Sequence, residues 1–247
     1  MSDLFSLQGR KTLVTGANAG IGQAIAVGLA QAGAEVLCAG RCPSNKTVAI
    51  IKSGGGTTSF ILVDFSDPMG GQELFTGQGI DILVNNAGII RRGDAVDFTE
   101  EDWDAVMDVN LKALFFTTQA FALEVMENNG LGAVVNIASL LSFQGGVCVP
   151  SYTVSKHGVT GLTKLMANEW ASKGINVNAV APGYIETNNT EVLRADVNRN
   201  VAILDRIPAG RWGKATDIVG AAVFLCTHAA GYIHGATLNV DGGWLAR

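Results

Sequence analysis

The chain has 247 residues, of which 48% are hydrophobic and 16% charged, and its formal net charge is −5. This composition excludes a disordered chain, and the lack of basic runs argues against nucleic acid as a partner. We find no basic-then-apolar leader and no apolar run of membrane-spanning length. We therefore expect one cytoplasmic domain over residues 1–247, with no membrane partner.

Seven short apolar runs predict the strands of one sheet. In chain order they are KTLVTG, EVLCAG, FILVDF, DILVNNAG, AVVNIAS, INVNAVAPG and TLNVDGG. Apolar runs without alternation are typical of strands buried on both faces, as in a parallel sheet. Helical patterns separate the runs, so we predict an α/β fold with a doubly wound, mainly parallel seven-stranded sheet in a three-layer αβα sandwich. Ligands of such sheets bind at the carboxyl ends of the strands.

The first strand and the first helix are joined by a glycine-rich segment, residues 16–22, which we call the glycine loop. Gly16, Gly20 and Gly22 follow the strand directly and open an amphipathic helix. Glycines there let the backbone approach a pyrophosphate, and free amides at a helix start favour its charge. Glycine turns also close ordinary βα units. A second close backbone approach is expected in NNAG, at the end of the fourth strand.

The second strand, EVLCAG, is followed by Arg41 and Cys42, and no Asp or Glu stands at its carboxyl end. In dinucleotide folds a carboxylate at this end binds the ribose hydroxyls and repels a 2′-phosphate. Gly40 leaves room here, and the Arg41 guanidinium could pair with a 2′-phosphate. The alternative is that Arg41 is a solvated turn residue. We predict that NADP(H) is preferred and that NAD(H) is also accepted.

The segment TEEDWDAVMDVNLKALFFTTQAFALEVMENNG predicts one amphipathic helix, with Thr99 and Asp102 as a capping box. Asn110 and Thr118 interrupt its apolar stripe. The preceding connection, residues 64–81, is short and rich in glycine, so we expect only a short or distorted helix there.

The stretch SYTVSKHGVTGL places Tyr152 and Lys156 four residues apart, on one face of a predicted helix. A nearby ammonium stabilises a phenolate, so such a pair can perform acid/base chemistry. An isolated pair of this kind is more often a surface feature. Ser139 closes the strand AVVNIAS, where its hydroxyl could donate a hydrogen bond to a substrate oxygen.

The motifs TGANAGIG, NNAG, DVNLKALFF, NIAS, YTVSK and APGYIET, in this order, resemble the short-chain dehydrogenase/reductase superfamily over essentially the whole chain. The resemblance implies a Rossmann-type fold and an NAD(P)-dependent oxidoreductase acting on CH–OH groups. In that case Tyr152 is the proton donor or acceptor, and Lys156 lowers its pKa and binds the nicotinamide ribose. Ser139 holds the reacting oxygen, and Asn110 anchors a water in a proton path.

The same resemblance implies a nicotinamide cofactor along the strand ends, with Asp64 facing the adenine and the turn after the sixth strand covering the nicotinamide carboxamide. The predicted cofactor-binding residues are Gly16, Asn18, Gly20, Ile21, Gly22, Arg41, Asp64, Phe65, Asn86, Ala87, Gly88, Tyr152, Lys156, Pro182, Gly183, Ile185 and Thr187.

The segments NNAGIIRRGDAVDF, LLSFQGG, RIPAGRWG and DGGWLAR resemble the sugar-acid branch of this superfamily. The implied substrate is a secondary alcohol or ketone of the 2-deoxy-D-gluconate or 2-keto-3-deoxygluconate type. Such a polyol carboxylate requires a guanidinium and neutral hydrogen-bonding groups. The predicted substrate residues are Ser139, Gln144, Tyr152, Tyr184, Asn188 and Asn189. The candidates for the carboxylate are Arg91, Arg92, Arg206, Arg211 and Arg247.

Two other functions stay open at this point. The same mechanism could act on a simple sugar, a steroid or an acyl carrier thioester. A nucleotide-sensing protein without catalysis is the other possibility, although the intact set of Asn110, Ser139, Tyr152 and Lys156 argues against it.

The remaining expectations concern thiols, metals and assembly. The four cysteines are scattered and three of them lie in apolar segments, so we expect buried thiols rather than disulfides. The three histidines show no ligand spacing with the cysteines, so we predict no metal site. The apolar faces of residues 103–125 and 154–166, together with the resemblance, predict a homotetramer.

Overall fold

The computed structural model describes residues 3–128 and 130–247, and a seven-stranded sheet forms its centre. The strands are β1 (Lys11–Thr15), β2 (Glu35–Gly40), β3 (Thr58–Leu62), β4 (Ile82–Asn85), β5 (Gly132–Ile137), β6 (Ile175–Pro182) and β7 (Thr237–Val240). Their order is β3-β2-β1-β4-β5-β6-β7, and every pairing is parallel. The predicted fold class is confirmed, with a wholly parallel sheet.

Helices cover both faces of this sheet. They are α1 (Gly20–Gln31), α2 (Asn45–Ser53), α3 (Glu100–Met107), α4 (Ala113–Glu127), α5 (Pro150–Trp170), α6 (Glu191–Ala195), α7 (Val197–Leu204) and α8 (Ala215–Cys226). Side chains of α1, α2 and α8 pack on one face of the strands, and those of α4 and α5 pack on the other. The burial of the strands on both faces explains their continuous apolar sequences.

The chain direction around β1 decides where a ligand can bind. From β1 the chain first builds outward to β2 and β3, and it then returns to β4 on the opposite side of β1. The loops after β1 and β4 therefore run in opposite directions from the carboxyl ends of these strands, and a crevice forms between them. The glycine loop follows β1, and Asn86 follows β4, so both predicted backbone approaches meet at this crevice.

The predicted long helix is interrupted where its apolar stripe is interrupted. Residues Asp108–Lys112 form one π-helical segment between α3 and α4, and this segment contains Asn110. At the start of α3, the Thr99 hydroxyl accepts a hydrogen bond from Asp102 N, which is the N-cap half of the predicted capping box. The glycine-rich connection after β3 holds only a 3₁₀ turn, Gln72–Leu74, as predicted.

The cysteines differ from expectation in part. Cys38 and Cys226 are buried, but Cys42 and Cys148 are exposed. The apolar neighbours of Cys148 predicted burial wrongly, because this residue lies in the connection to α5, where its Sγ donates to the Asp94 carboxylate at 3.1 Å. Among the described helices, none is long and apolar enough to cross a membrane.

Candidate active site

A cavity of about 310 Å³ opens at the carboxyl ends of β1, β4, β5 and β6, and we call it the main cavity. The glycine loop, the segment after β4, the first turns of α5 and the turn after β6 form its walls. The predicted residues that line it are Gly16, Asn18, Gly20, Ile21, Gly22, Asn86, Ala87, Gly88, Ser139, Tyr152, Lys156, Pro182, Gly183, Ile185, Thr187, Asn188 and Asn189. Residues from five separate segments thus meet at one site.

A second cavity, of about 210 Å³, lies beside the carboxyl end of β2. Arg41, Asp64 and Phe65 line it, and it shares Gly16 and Gly88 with the main cavity. The two cavities therefore form one groove that runs from Arg41 to the catalytic candidates. Every residue predicted to bind the cofactor lines this groove.

The glycine loop is folded tightly against the segment after β4. Gly16 has a φ of +66°, and a Cβ atom added there would lie 2.9 Å from Asn86 Nδ2. A Cβ atom on Gly22 would lie 2.3 Å from the same nitrogen. The Asn86 amide in turn donates to Thr15 O at 3.0 Å and to Gly16 O at 3.1 Å. Only glycine fits at these two positions, which leaves the loop's backbone open toward the cavity.

The catalytic candidates come from β5, α5 and the turn between them. Lys156 is 6% exposed, and its Nζ donates a 2.6 Å hydrogen bond to Ile137 O at the end of β5. The same Nζ lies 5.6 Å from the centroid of the Tyr152 ring, so the two side chains share one helix face as predicted. Ser139 Oγ accepts from Leu141 N at 3.2 Å, a bond that does not use the hydroxyl proton.

Burial sets the protonation of both α5 groups. It raises the pKa of Tyr152, with the Ser139 hydroxyl and the Arg92 charge acting in the opposite direction. Burial also lowers the pKa of Lys156 to about 8. The tyrosine is thus a protonated acid at neutral pH, and the lysine remains mostly an ammonium there.

Asn110 occupies the π-helical segment and is 2% exposed. Its Nδ2 donates to Ile89 O at 2.9 Å, while its Oδ1 accepts from Ile89 N at 2.8 Å. A third contact joins Asn110 Nδ2 to Ser155 Oγ on α5 at 3.3 Å. Asn110 therefore links the segment after β4 to the catalytic helix, one residue before Lys156.

Gln144 and Tyr184 do not line the main cavity. Gln144 Oε1 accepts a hydrogen bond from Trp244 Nε1 at 3.1 Å. The Tyr184 ring packs against Trp244 and Trp212, with centroids 4.7 and 5.5 Å away. Both tryptophans are buried in this cluster, which also receives apolar side chains from α6 and α7. Of the predicted neutral substrate groups outside α5, the structure brings Ser139, Asn188 and Asn189 to the cavity.

The five candidate arginines have different surroundings. Arg91 pairs with Asp102 at 3.0 Å and Arg211 with Asp217 at 2.7 Å. Arg206 stacks on the Trp244 ring, with its Cζ 4.0 Å from the centroid, and Arg247 donates to Asp205 O at 2.9 Å.

Arg92 is placed differently. Its Nη2 donates to Asn189 O at 3.2 Å, and its charge acts on the pKa of Tyr152. Within residues 3–128 and 130–247 no carboxylate forms an ion pair with it.

Several lining residues were missed by the sequence analysis. In the main cavity these are Ala19, Ile137, Ala138 and Thr190, and in the second cavity they are Cys42, Ser66, Ile89 and Val109. Most of them are chain neighbours of predicted residues, so extending each motif by one position at the strand ends would have found them. Val109 gave no such signal because it lies in the π-helical segment. No group of three His, Cys, Asp or Glu side chains in the described part of the chain could hold a metal ion.

A family model described as Enoyl-(Acyl carrier protein) reductase matches residues 16–245. The 2-dehydro-3-deoxy-D-gluconate 5-dehydrogenase of Bacillus subtilis (strain 168) is 52% identical over 252 residues, which cover 100% of this chain and 99% of that protein. The chain belongs to the short-chain dehydrogenase/reductase family. As a member of this family it is an NAD(P)-dependent oxidoreductase acting on CH–OH groups.

Two solved structures of relatives contain NADP. An Agrobacterium tumefaciens protein, provisionally assigned as a 2-deoxy-D-gluconate 3-dehydrogenase, is 71% identical to this short-chain dehydrogenase/reductase, with a TM-score of 0.98 over 99% of this chain and 100% of that one. A Beutenbergia cavernae protein, provisionally assigned as an NAD(P)-dependent gluconate 5-dehydrogenase, is 48% identical, with a TM-score of 0.96 over 99% and 100%. The match extends over the whole fold, including both cavities.

Proposed function

We propose that this enzyme transfers a hydride between NADP(H) and a secondary alcohol or ketone of a deoxy sugar acid, of the 2-deoxy-D-gluconate or 2-dehydro-3-deoxy-D-gluconate type. The observation that carries the proposal is the meeting of Ser139, Tyr152 and Lys156 in one groove with the glycine loop, next to Arg92, which forms no ion pair with a carboxylate of the described residues. The names of the relatives support the same substrate class.

The groove fits a dinucleotide. The glycine loop offers an open backbone for a pyrophosphate, and a Cβ atom at Gly16 or Gly22 would collide with Asn86. NADP(H), when bound, supplies or accepts the hydride. In carbonyl reduction the Tyr152 phenol donates its proton to the substrate oxygen, and in alcohol oxidation the phenolate takes that proton back. Ser139 donates a hydrogen bond to the same oxygen.

Lys156 has two roles in this proposal, one toward the phenolate and one toward the nicotinamide ribose. Its ammonium already satisfies Ile137 O, so the remaining protons are available to the cavity that it lines. Asn110 is proposed to support a water-mediated proton path, because it is anchored to Ile89 and reaches Ser155 beside Lys156.

Arg92 is the best candidate for the substrate carboxylate. It lies beside Asn189, which lines the cavity, and its positive charge is close enough to Tyr152 to act on the pKa of that phenol. The other four candidate guanidiniums contact Asp102, Asp217, the Trp244 ring and Asp205 O, none of which lines the main cavity. A guanidinium and a carboxylate form a bidentate, charge-assisted pair, which would orient the sugar acid toward Tyr152.

The substrate class is tested with a coupled absorbance assay. We expect kcat/KM for 2-deoxy-D-gluconate oxidation or 2-dehydro-3-deoxy-D-gluconate reduction to exceed that for the neutral lactone, simple ketones and steroids by about 100-fold or more. Comparing the two acids also decides which carbon reacts. Equal values for acids and neutral analogues would contradict the proposal.

Arg92→Gln should raise KM for the acid by about tenfold or more and leave KM for NADP unchanged. Arg91→Gln is the matched control, because the neighbouring guanidinium pairs with Asp102 and should leave both constants unchanged. An Arg92→Gln enzyme with a wild-type KM for the acid would remove this residue from the site.

The preference for NADP over NAD is assigned to Arg41. Arg41 lines the second cavity beside Asp64. The pKa of Asp64 is lowered by hydrogen bonds from Ser66 and also by the charge of Arg41. A Cβ atom at Gly40 would lie 3.9 Å from Gly16, which is an ordinary van der Waals contact. We therefore expect Gly40→Asp with Arg41→Ala to change the ratio of kcat/KM values toward NAD by about ten- to a hundredfold. An unchanged ratio would contradict this assignment.

We also propose a homotetramer, supported by exposed apolar side chains on the helices that cover the β4–β6 face. Leu123 on α4 and Leu165 on α5 are 55% and 47% exposed, and they lie within the two predicted segments, residues 103–125 and 154–166. A cytoplasmic location stays a prediction from the sequence.

A further inference from the structure

The glycine loop is held from outside the groove by a buried hydroxyl. Thr47, the third residue of α2, is 0% exposed, and its Oγ1 donates a 2.6 Å hydrogen bond to Ala17 O in the glycine loop. Gln23 Nε2, from the first turns of α1, donates to the same Oγ1 at 2.9 Å. The Gln23 amide is also within 3.5 Å of Asn18 O. Three elements therefore meet at one hydroxyl beneath the loop.

This arrangement is unusual for a threonine near a helix start. Ser and Thr at such positions commonly bond to the backbone of their own helix. The Thr47 hydroxyl instead bonds to a carbonyl 30 residues earlier in the chain. Thr47 and Ala17 line neither cavity, whereas Gly16 and Asn18, on either side of Ala17, line both. The bond thus fixes the part of the loop that lies behind its ligand-facing residues.

Two further hydrogen bonds hold Gly16, the residue before Ala17. Gly16 N donates to Ala39 O at 2.8 Å, and Asn86 Nδ2 donates to Gly16 O at 3.1 Å. The next carbonyl, Ala17 O, is fixed by Thr47. Without the Thr47 hydroxyl, this peptide loses a buried partner and can rotate, which turns the amides that follow it away from the groove.

We propose that Thr47, together with Gln23, is a positioning residue that holds the glycine loop in the conformation that receives the cofactor pyrophosphate. This inference rests on the proposed function. Because the pyrophosphate is common to both nicotinamide cofactors, the pair affects NADP and NAD equally, in contrast to Arg41.

Cofactor Kd values, measured by fluorescence titration with NADP⁺ and with NAD⁺, test the proposal. We expect Thr47→Val, which removes the hydroxyl and keeps the shape, to raise both Kd values by the same factor of about ten. Thr47→Ser, which keeps the hydroxyl, should restore most of the affinity. KM for the sugar acid at saturating cofactor should not change.

Thr58→Val is the matched control. Thr58 is also buried, and its Oγ1 donates a 2.7 Å hydrogen bond to Val36 O, at the other end of β2 from the groove. It should lose comparable stability while both cofactor Kd values stay at the wild-type level. Equal weakening by Thr58→Val would show that general stability, and not the loop, is responsible.

Gln23→Leu provides a second test that does not depend on the folding of Thr47→Val, because Gln23 is only partly buried. It should weaken both cofactors, and its effect should not add to that of Thr47→Val, since both act on one hydrogen-bonded chain. Wild-type Kd values in either single variant would overturn the positioning role. If Gly22→Ala also leaves the Kd values unchanged, the pyrophosphate does not bind at this loop, and the proposed function fails as well.

Discussion

Burial decides the chemistry of the two α5 side chains at the scale of single residues. The sequence suggested that Lys156 would lower the pKa of Tyr152. In the structure, burial raises the pKa of the phenol, and the groups that oppose this rise are Ser139 and Arg92. The reason is geometric: Lys156 Nζ is bonded to Ile137 O and lies 5.6 Å from the ring centroid. Residue type predicted the pair, but the balance between burial and charge depends on the folded surroundings.

Tyr152→Phe tests the proton donor. The ring that lines the cavity is kept and only the hydroxyl is lost, so we expect kcat to fall by at least about 100-fold. The cofactor Kd should stay within about threefold of wild type, as one neutral hydrogen bond at most is lost. Steady-state kinetics and fluorescence titration measure the two quantities. A variant that kept a substantial part of kcat would assign the proton transfer to another group.

Lys156→Met tests the cost of a buried ammonium. Burial lowers the pKa of Lys156 from 10.5 to about 8, which corresponds to about 3 kcal/mol of lost folding free energy when the group is charged. This penalty is complete below pH 8, and it disappears as pH rises toward 10.5, because the unfolded chain then also loses the proton. The variant leaves Ile137 O without its partner. We therefore expect a net gain of about 1–2 kcal/mol at pH 7.

Urea unfolding of both proteins at several pH values measures this difference. The gain of the Met variant should shrink steadily between pH 8 and 10, while its activity is lost at every pH. A constant difference would show that Lys156 has an ordinary pKa in the folded enzyme.

At the scale of secondary-structure elements, the sequence predicted which elements form and in what order, but not their local irregularities or long-range hydrogen bonds. The seven strands and the βα order followed from apolar runs and glycine turns, because these signals are local. The π-helical segment at Asn110 and the bond from Thr47 to Ala17 were not predictable, since each depends on a partner distant in sequence. Thr118, the other interruption of the apolar stripe, accepts a hydrogen bond from Asn85 Nδ2 at 2.8 Å. Both interruptions are therefore polar contacts to the segment at the end of β4.

The junction of β1 and α1 gives a prediction at this scale. A methyl group on Gly22 would lie 2.3 Å from both Asn86 Nδ2 and Gly16 O. The first is a hydrogen-bonded side-chain amide and the second a backbone carbonyl, so neither can move away easily. We expect Gly22→Ala to destabilise the fold by about 1–3 kcal/mol and to raise the cofactor Kd more than tenfold. Gly54→Ala is the control, because Gly54 has a φ of −83° and an added Cβ would have only ordinary contacts, the nearest at 3.5 Å. Equal Kd values in the two variants would be contrary to this prediction.

At the scale of the whole molecule, the site is formed by residues that follow strands distant from one another in sequence. Arg41 follows β2 and Tyr152 begins α5, yet the parallel sheet places both on one groove because every strand ends at the same edge. This convergence is a property of the topology, so the residues that motif order assigned to the cofactor meet on one groove. The residues predicted for the substrate converge less: Gln144 and Tyr184 contact Trp244 and do not line the main cavity, and no local sequence pattern distinguishes them from Asn188 and Asn189, which do.

Assembly is the last property that the folded surface makes testable. Leu123 and Leu165 expose large apolar side chains on α4 and α5, two helices of the same layer. Burying them between subunits removes apolar surface from water, and a closed assembly with two-fold axes can bury the same patch in every subunit. We expect light scattering at micromolar protein to give the mass of four chains of 25.7 kDa each.

Leu123→Glu with Leu165→Glu should reduce that mass, because charges would then enter the interface without partners. Val201→Glu on α7, at a residue 50% exposed, is the control and should leave the mass unchanged. A monomer mass for the wild-type protein would rule out the tetramer, and a tetramer that persists in the double variant would place the interface elsewhere.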